Sequence, residues 1–167
     1  MKITLSQKLP CLTYGVQSST VTDTLSPIPA GESLPVNLRD KAIYYVGPVN
    51  AVPDEVIGPA GPTTASRMDG FLDILLPATG LRVMIGKAER GPVGIDAIRK
   101  NQAAYLVAVG CAAYHVSKAI RSAKVVAWPD LGMEGIYELR VEDMPVMVAV
   151  DAQGRSIHSL GPALWRR

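Results

Sequence analysis

Cysteine and histidine are scarce in this chain, with two of each among 167 residues: Cys11, Cys111, His115 and His158. An iron–sulfur cluster takes three or four cysteines, and a structural zinc takes four nitrogen or sulfur ligands. Cys11 and Cys111 stand a hundred positions apart, no C-x-x-C occurs, and neither histidine has a ligand at helical or hairpin spacing. The chain alone is therefore not expected to hold a cluster or a zinc. Cys111 reads as a small buried thiol and Cys11 as a free one.

Long apolar runs are also missing, and nothing approaches the roughly 18–20 residues that span a bilayer. Net charge is only +2, too little to argue for nucleic acid or a membrane surface as partner. The opening MKITLSQKLPCLTYG has no sustained apolar stretch, because Ser6, Gln7, Lys8 and Pro10 interrupt it. A secretory leader is not expected, and a cytoplasmic protein is. Three catalytic signatures are absent as well: G-x-S-x-G, H-E-x-x-H and the dinucleotide pattern G-x-G-x-x-G. A self-contained hydrolase or dinucleotide enzyme is disfavoured.

What remains is a globular composition, 48% hydrophobic and 19% charged, enough for a proper core in a single domain. Texture divides it. Residues 1–35, with SSTVTDTLSPIPAGESLP, are rich in Ser, Thr and Pro and read as an extended or poorly ordered arm; 36–167 read as the folded domain. AIYYV (42–46), LRVMIG (81–86), AAYLVAV (103–109) and AKVVAW (123–128) read as strands. Met68, Phe71, Leu72, Leu75 and Leu76 make one helical stripe, capped by Thr63 or Thr64 and stopped by Pro77 and Gly80. A second helix opens at Gly91-Pro92 and runs to about Asn101. A third comes after Gly110, with Ala112, Val116, Ala119 and Ile120 on one side. IYELRVEDM and PVMVAVDAQGRSIHSLG read as paired strands, with Ala152-Gln153-Gly154 turning a hairpin. The expected fold is α/β, a mixed sheet with crossover helices and an antiparallel C-terminal edge.

Candidate chemistry lies in three segments. GPAGPTTASRMD (58–69) carries two Gly-Pro pairs into a helix start, where amide groups without intrahelical partners and the helix dipole suit a carboxylate or phosphate. Thr63 and Thr64 add hydroxyls, and Arg67 adds a guanidinium that can grip an anion bidentately. A capped helix with a solvated arginine is the plainer alternative. GKAERGP (86–92) comes directly after a strand end, where ligand groups gather in α/β folds, and offers Lys87 foremost, then Glu89 and Arg90. A solvated turn is its alternative. A phosphate loop fails there, since Gly80 and Gly86 enclose five residues rather than four and Ala88 stands where Ser or Thr must be. In VGCAAYHVSKAI (109–120), small residues permit close backbone approach or simply tight packing, and His115 reads as a surface or packing histidine.

IYYVGPVNAVPDEVIGPAGPTTASRMD, MIGKAERGPVGIDAIRK, AAYLVAVGCAAYHVSKAI and DLGMEGIYELRVEDMPVMVAVD closely resemble the C-terminal domain of class I, iron–sulfur fumarases. They resemble more distantly the β subunit of tartrate dehydratase. The resemblance runs from about Leu34 to Trp165. It implies a swivelling β/β/α-type domain and a hydro-lyase that interconverts fumarate and malate. It implies a [4Fe–4S] cluster on a separate N-terminal domain or α subunit, none on this chain, and no activity for the chain by itself. Thr63, Thr64, Arg67 and Lys87 match the family's substrate-binding positions, with Thr63 and Lys87 as the catalytic candidates. A small dicarboxylate, the cluster-bearing partner and a homodimer are the implied associates. Two departures stand out. The upstream stretch SSTVTDTLSPIPAGES has no arginine where relatives carry one for substrate, and Cys111 replaces a usual glycine. A truncated, non-enzymatic remnant is the alternative reading, as is the β part of a tartrate dehydratase-like enzyme.

Overall fold

The computed structural model describes residues 2–5, 9–14 and 35–166. Within them eight strands form one mixed sheet: β1 (Lys2–Leu5), β2 (Leu9–Tyr14), β3 (Ala42–Tyr45), β4 (Val83–Gly86), β5 (Ala104–Val107), β6 (Ile120–Ala127), β7 (Ile136–Val141) and β8 (Met144–Val150). Their spatial order is β1-β8-β5-β4-β3-β2-β7-β6. The four strands β2 to β5 run parallel, and both flanks are antiparallel. Among the described residues four α-helices accompany them: α1 (Leu72–Thr79), α2 (Pro92–Lys100), α3 (Ala113–Ser117) and α4 (Ile157–Trp165). The expected α/β class with a mixed sheet is present.

The continuous apolar runs are central because both faces of the sheet are covered. Alternation along β3 assigns its side chains to two cores. Ile43 and Tyr45 join Met84, Tyr105, Leu72, Leu76 and Ile98 beneath α1 and α2. Ala42, Tyr44 and Val46 join Ile85, Leu106 and Val116, together with Leu139, Val141, Met144 and Val146 from the antiparallel flanks. Each fully buried Leu or Ile contributes roughly 1.5–3 kcal/mol by leaving water.

The path from β7 to β8 departs from the pairing expected of these two segments. Only Glu142 and Asp143 separate the two strands in sequence, and they do not pair: β7 lies between β2 and β6, and β8 between β1 and β5. In a flat sheet they would stand roughly 24 Å apart, at about 4.8 Å per strand. Three peptide links reach only about 11 Å. The sheet must therefore curl, and it does so around the second core, with bulges in the β5–β8 and β6–β7 ladders. The turn at Ala152-Gln153-Gly154 does form, with Gly154 at φ 77, but it leads into α4 after a single bridge between Val150 and Ser156. Ser156 caps that helix by accepting from the His158 amide at 3.2 Å.

Other expectations shift by a few residues. Chain 65–71 is a 3-10 segment, and regular α-helix starts only at Leu72. Pro77 lies inside α1 rather than ending it; the stop is Gly80, left-handed at φ 69, whose amide returns to Leu76 O at 3.0 Å. The third helix is short, because Ile120 already belongs to β6, and Ala119 O accepts the Glu142 amide. Within the stretch read as an arm, Lys2–Leu5 and Leu9–Tyr14 are strands of the sheet, which the Ser/Thr/Pro texture of residues 18–35 concealed. The rest of that stretch up to residue 34, including the segment lacking the family arginine, lies outside the described residues.

Candidate functional site

The carboxyl ends of β3, β4 and β5 point the same way, since these strands are parallel neighbours. The Gly/Pro loop after β3 is tied down at that end. Tyr44 donates its hydroxyl to Ala60 O at 2.6 Å, and the Ala60 amide reaches Ala113 O at 3.2 Å. Gly61 is a true requirement, because a Cβ there would sit 2.9 Å from the Ala113 Cβ. The chain then passes along two strand ends at once. The Thr63 amide donates to Tyr45 O at 2.7 Å, the Lys87 amide to Thr63 O at 3.0 Å, and the Ala65 amide to Lys87 O at 3.2 Å. Thr64 and Lys87 are thereby paired as a parallel bridge.

Three of the four candidate residues are brought together by this ladder. Thr63 and Thr64 are half-buried and Lys87 is exposed. Thr63 Oγ1 is shielded from solvent and finds no hydrogen-bond partner among the described residues. The Lys87 stem lies along the Gly110 loop, 3.5 Å from where a Cβ on Gly110 would be. Arg67 lies three residues beyond Thr64 in the 3-10 segment, with its side chain exposed. The backbone ladder therefore places two hydroxyl-bearing residues next to a lysine at a strand end, with an arginine nearby in the chain. Hydrogen-bond donors and cations at a strand end are what an anion with more than one charged group requires.

Neither threonine caps the helix, contrary to expectation: Thr64, at φ −68 and ψ 114, makes no side-chain cap bond. Its neighbours' backbone groups are committed to the Lys87 ladder, and the Ala65 amide is consumed by Lys87 O. The anion-binding amides read from the sequence are therefore partly spent on structure.

Arg90 is not a surface ligand group. It is 1% exposed, with Nε 2.8 Å from Asp69 Oδ1 and Nη1 donating to Ala65 O at 2.7 Å. Its guanidinium carbon lies 5.1 Å from the Tyr105 ring centre and 5.8 Å from that of Tyr45. Asp69 Oδ2 accepts the Gly91 amide at 2.6 Å. Burial pushes the Asp69 carboxyl above its ordinary range, against the pull of Arg90 and the Gly91 amide. Burial likewise raises the Tyr45 and Tyr105 phenols. The Tyr105 hydroxyl is shared between Lys87 O at 2.8 Å and Ala88 O at 3.0 Å. It pins a turn in which Ala88 is left-handed at φ 66. Sequence reading missed Asp69 and Tyr105, because a charge inside an apolar stripe and a tyrosine inside a strand carry no local sign of what they touch.

The Gly110 segment is a 3-10 turn followed by the five-residue α3. Cys111 on it is an exposed free thiol, correcting the expectation of a buried one, because no residue of this short turn is packed into the core. Glu89 and His115 are exposed. Between α2 and the turn before α4 lies a groove of about 560 Å³ lined by Pro92, Ile95, Asp96, Arg99, Gly154 and Ser156 among others, none of them a candidate residue. No group of three or more His, Cys, Asp or Glu is placed to hold a metal among the described residues. With two cysteines in the whole sequence, the donor set does not fit a [4Fe–4S] cluster. No helix is long and apolar enough to cross a membrane among those residues.

A family profile described as "Fumarase C-terminus" matches residues 20–161. The chain is 39% identical over 128 residues to "Fumarate hydratase class I, anaerobic" of Escherichia coli K12, covering 76% of this chain and 23% of that protein. "Fumarate hydratase 2" of Leishmania major is 35% identical over 130 residues, 77% of this chain and 23% of the relative. The "L(+)-tartrate dehydratase subunit beta" of Escherichia coli K12 is 30% identical over 130 residues, 74% of this chain and 64% of that subunit. The chain thus spans about a quarter of the length of the fumarases it matches.

Proposed function

The chain belongs to the fumarase C-terminus family, and from that premise we propose that it supplies the carboxylate-binding half of a site that adds water across fumarate to give malate. The observation that carries the reading is the backbone ladder joining Thr63, Thr64 and Ala65 to Lys87 at the strand end, together with a shielded Thr63 hydroxyl that has no partner among the described residues. Arg67 grips one carboxylate through its planar fork, and Lys87 neutralises charge on the other. Thr64 adds a hydrogen bond to the bound dicarboxylate.

Hydration forms a carbon–oxygen bond at one alkene carbon and a carbon–hydrogen bond at the other. In the reverse direction a proton leaves the carbon next to a carboxylate, and negative charge spreads onto that carboxylate. Thr63 Oγ1 is the group proposed to carry this proton, and Lys87 is the cation that stabilises the developing charge. The [4Fe–4S] cluster expected of such an enzyme is proposed to lie on a separate cluster-bearing domain or α subunit. The isolated chain is accordingly proposed to be inactive. A cytoplasmic location and a homodimer complete the proposal.

A second reading rests on the tartrate dehydratase match, in which this chain covers 64% of the β subunit. This reading takes a hydroxy-dicarboxylate such as tartrate as the competing substrate. A third, a remnant without activity, is favoured by the absence of an arginine between residues 18 and 33. One experiment separates all three. The chain is co-expressed anaerobically with a cluster-bearing fumarase domain, and the purified complex is assayed with fumarate and with tartrate. Turnover of fumarate lost in Thr63→Ala supports the first reading, and turnover of tartrate alone supports the second. Absence of both complex and turnover leaves the remnant.

A further inference from the structure

The geometry points to Arg90 as a positioning residue for Thr63 and Lys87, acting through Ala65 and with Asp69 and Tyr105 as its supports. This inference rests on the reading that Thr63 and Lys87 handle substrate. Arg90 itself is sealed off, at 1% exposure, so it cannot touch a dicarboxylate. Its role is set by what it holds.

The Thr64–Lys87 pairing has two sides, and the buried cluster grips both. On one side Arg90 Nη1 donates to Ala65 O at 2.7 Å, one residue past Thr64, while the Ala65 amide binds Lys87 O. On the other side the Tyr105 hydroxyl binds Lys87 O and Ala88 O, holding the left-handed residue next after Lys87. Arg90 packs over the Tyr105 ring, so the two grips are mechanically joined. Asp69 fixes the guanidinium from below and is itself fixed by the Gly91 amide. Gly94 is needed for this approach, because a Cβ there would lie 2.4 Å from Asp69 Oδ1.

A structural ion pair alone would have no reason to terminate on the backbone of the two candidate segments. Here its one backbone hydrogen bond ends on Ala65 O, and the Tyr105 ring it packs against carries the hydroxyl that binds Lys87 O. The short ladder comprises few bonds and sits at a strand end, where fraying is easiest. Hydroxyl and ammonium positions that must be held to within about 0.5 Å for proton transfer need such backing. Lysine cannot substitute at position 90, since a single ammonium lacks the planar fork that reaches Asp69 and Ala65 O together.

The test uses Arg90→Lys and the milder Tyr105→Phe, which removes only the hydroxyl. Two measurements are made. Amide hydrogen exchange on the chain reads protection at Thr63, Ala65 and Lys87 against Ile85 and Leu106. Steady-state kinetics on the anaerobic complex with the cluster-bearing domain read kcat and KM for fumarate. Protection is expected to fall at least about tenfold at the three ladder amides and to stay unchanged at the two strand controls. In the complex, kcat is expected to fall at least about tenfold, with KM changed less and cluster content intact. Uniform loss of protection, or none, overturns the inference. So does a normal kcat in a complex whose ladder amides have lost protection. If the wild-type complex is inactive, the reading of function fails, and the exchange pattern still decides whether Arg90 holds the ladder. If Arg90→Lys does not fold, Tyr105→Phe decides at Lys87 alone.

Discussion

Arg90 and Asp69 are paired inside the core, Nε 2.8 Å from Oδ1, and the carboxyl is the strained partner. Desolvation outweighs both the guanidinium and the Gly91 amide in setting its affinity for protons. Such a pair is poorly repaid for leaving water, yet removing one member leaves the other charge buried and alone.

A double-mutant cycle exposes this asymmetry. Asp69→Ala and Arg90→Met are each expected to destabilise by about 3–5 kcal/mol. The double variant is expected to recover part of that loss, because no uncompensated charge remains. Urea unfolding midpoints of the four proteins check it. Losses that simply add would mean that the two residues are not coupled.

Gly86 joins the end of β4 to the site, and a Cβ there would meet the Ala65 Cβ at 2.9 Å, Tyr45 Cδ2 at 3.1 Å and the Tyr105 hydroxyl at 3.3 Å. All three neighbours are buried residues packed around Arg90, and none is a loose surface group. Gly86→Ala is expected to cost about 1–3 kcal/mol by overpacking. It should also push Ala65 away from Lys87. Thermal melting reports the first effect, and the Ala65 amide shift in NMR spectra reports the second.

Much of the sheet and the candidate segments were legible because they announce themselves locally. AIYYV and AAYLVAV are apolar throughout, and central strands covered on both faces have to be. Thr63, Thr64 and Lys87 were recognisable as strand-end and loop residues of matching type. What was hidden is tertiary. Arg90 reads as one more charge in GKAERGP, and only the fold reveals that it turns inward to Asp69, 21 positions earlier. The separation of β7 from β8 was hidden for the same reason. Two residues joining two strands suggest a hairpin, and curling of the whole sheet around Tyr44, Ile85 and Leu106 is a property of no segment.

Arg67 and Lys87 are proposed to share the charge of a dicarboxylate, but they are not equivalent. Arg67→Lys keeps the charge and loses the fork, so KM for fumarate in the reconstituted complex is expected to rise about tenfold or more. Lys87→Met removes the cation at the ladder and is expected to lower kcat as well. Initial rates across a fumarate series distinguish the two patterns. Equal, pure KM effects would place Lys87 in binding alone.

The turn that leads into α4 carries a pH dependence whose sign is fixed. Asp151 accepts the amides of Gln153 at 3.0 Å and Arg155 at 2.9 Å, and it pairs with Arg155 Nε at 2.6 Å. Partial burial opposes its ionisation, but the Arg155 amide, the Arg155 side chain and the Gln153 amide together outweigh burial and lower its pKa. A carboxyl with a folded pKa below its unfolded value binds fewer protons in the native state. Its stabilisation is therefore complete above the unfolded value, near 3.8, and disappears as pH falls through the lower folded value. Asp151→Asn keeps the shape but loses the charge. The melting temperature of the wild type is expected to exceed that of Asp151→Asn at pH 7, and the two curves should converge on acidification below about pH 4, near the ordinary aspartate pKa. A gap that does not narrow at all as pH falls below that ordinary value would show that packing of the turn, rather than ionised Asp151, holds the entry to α4.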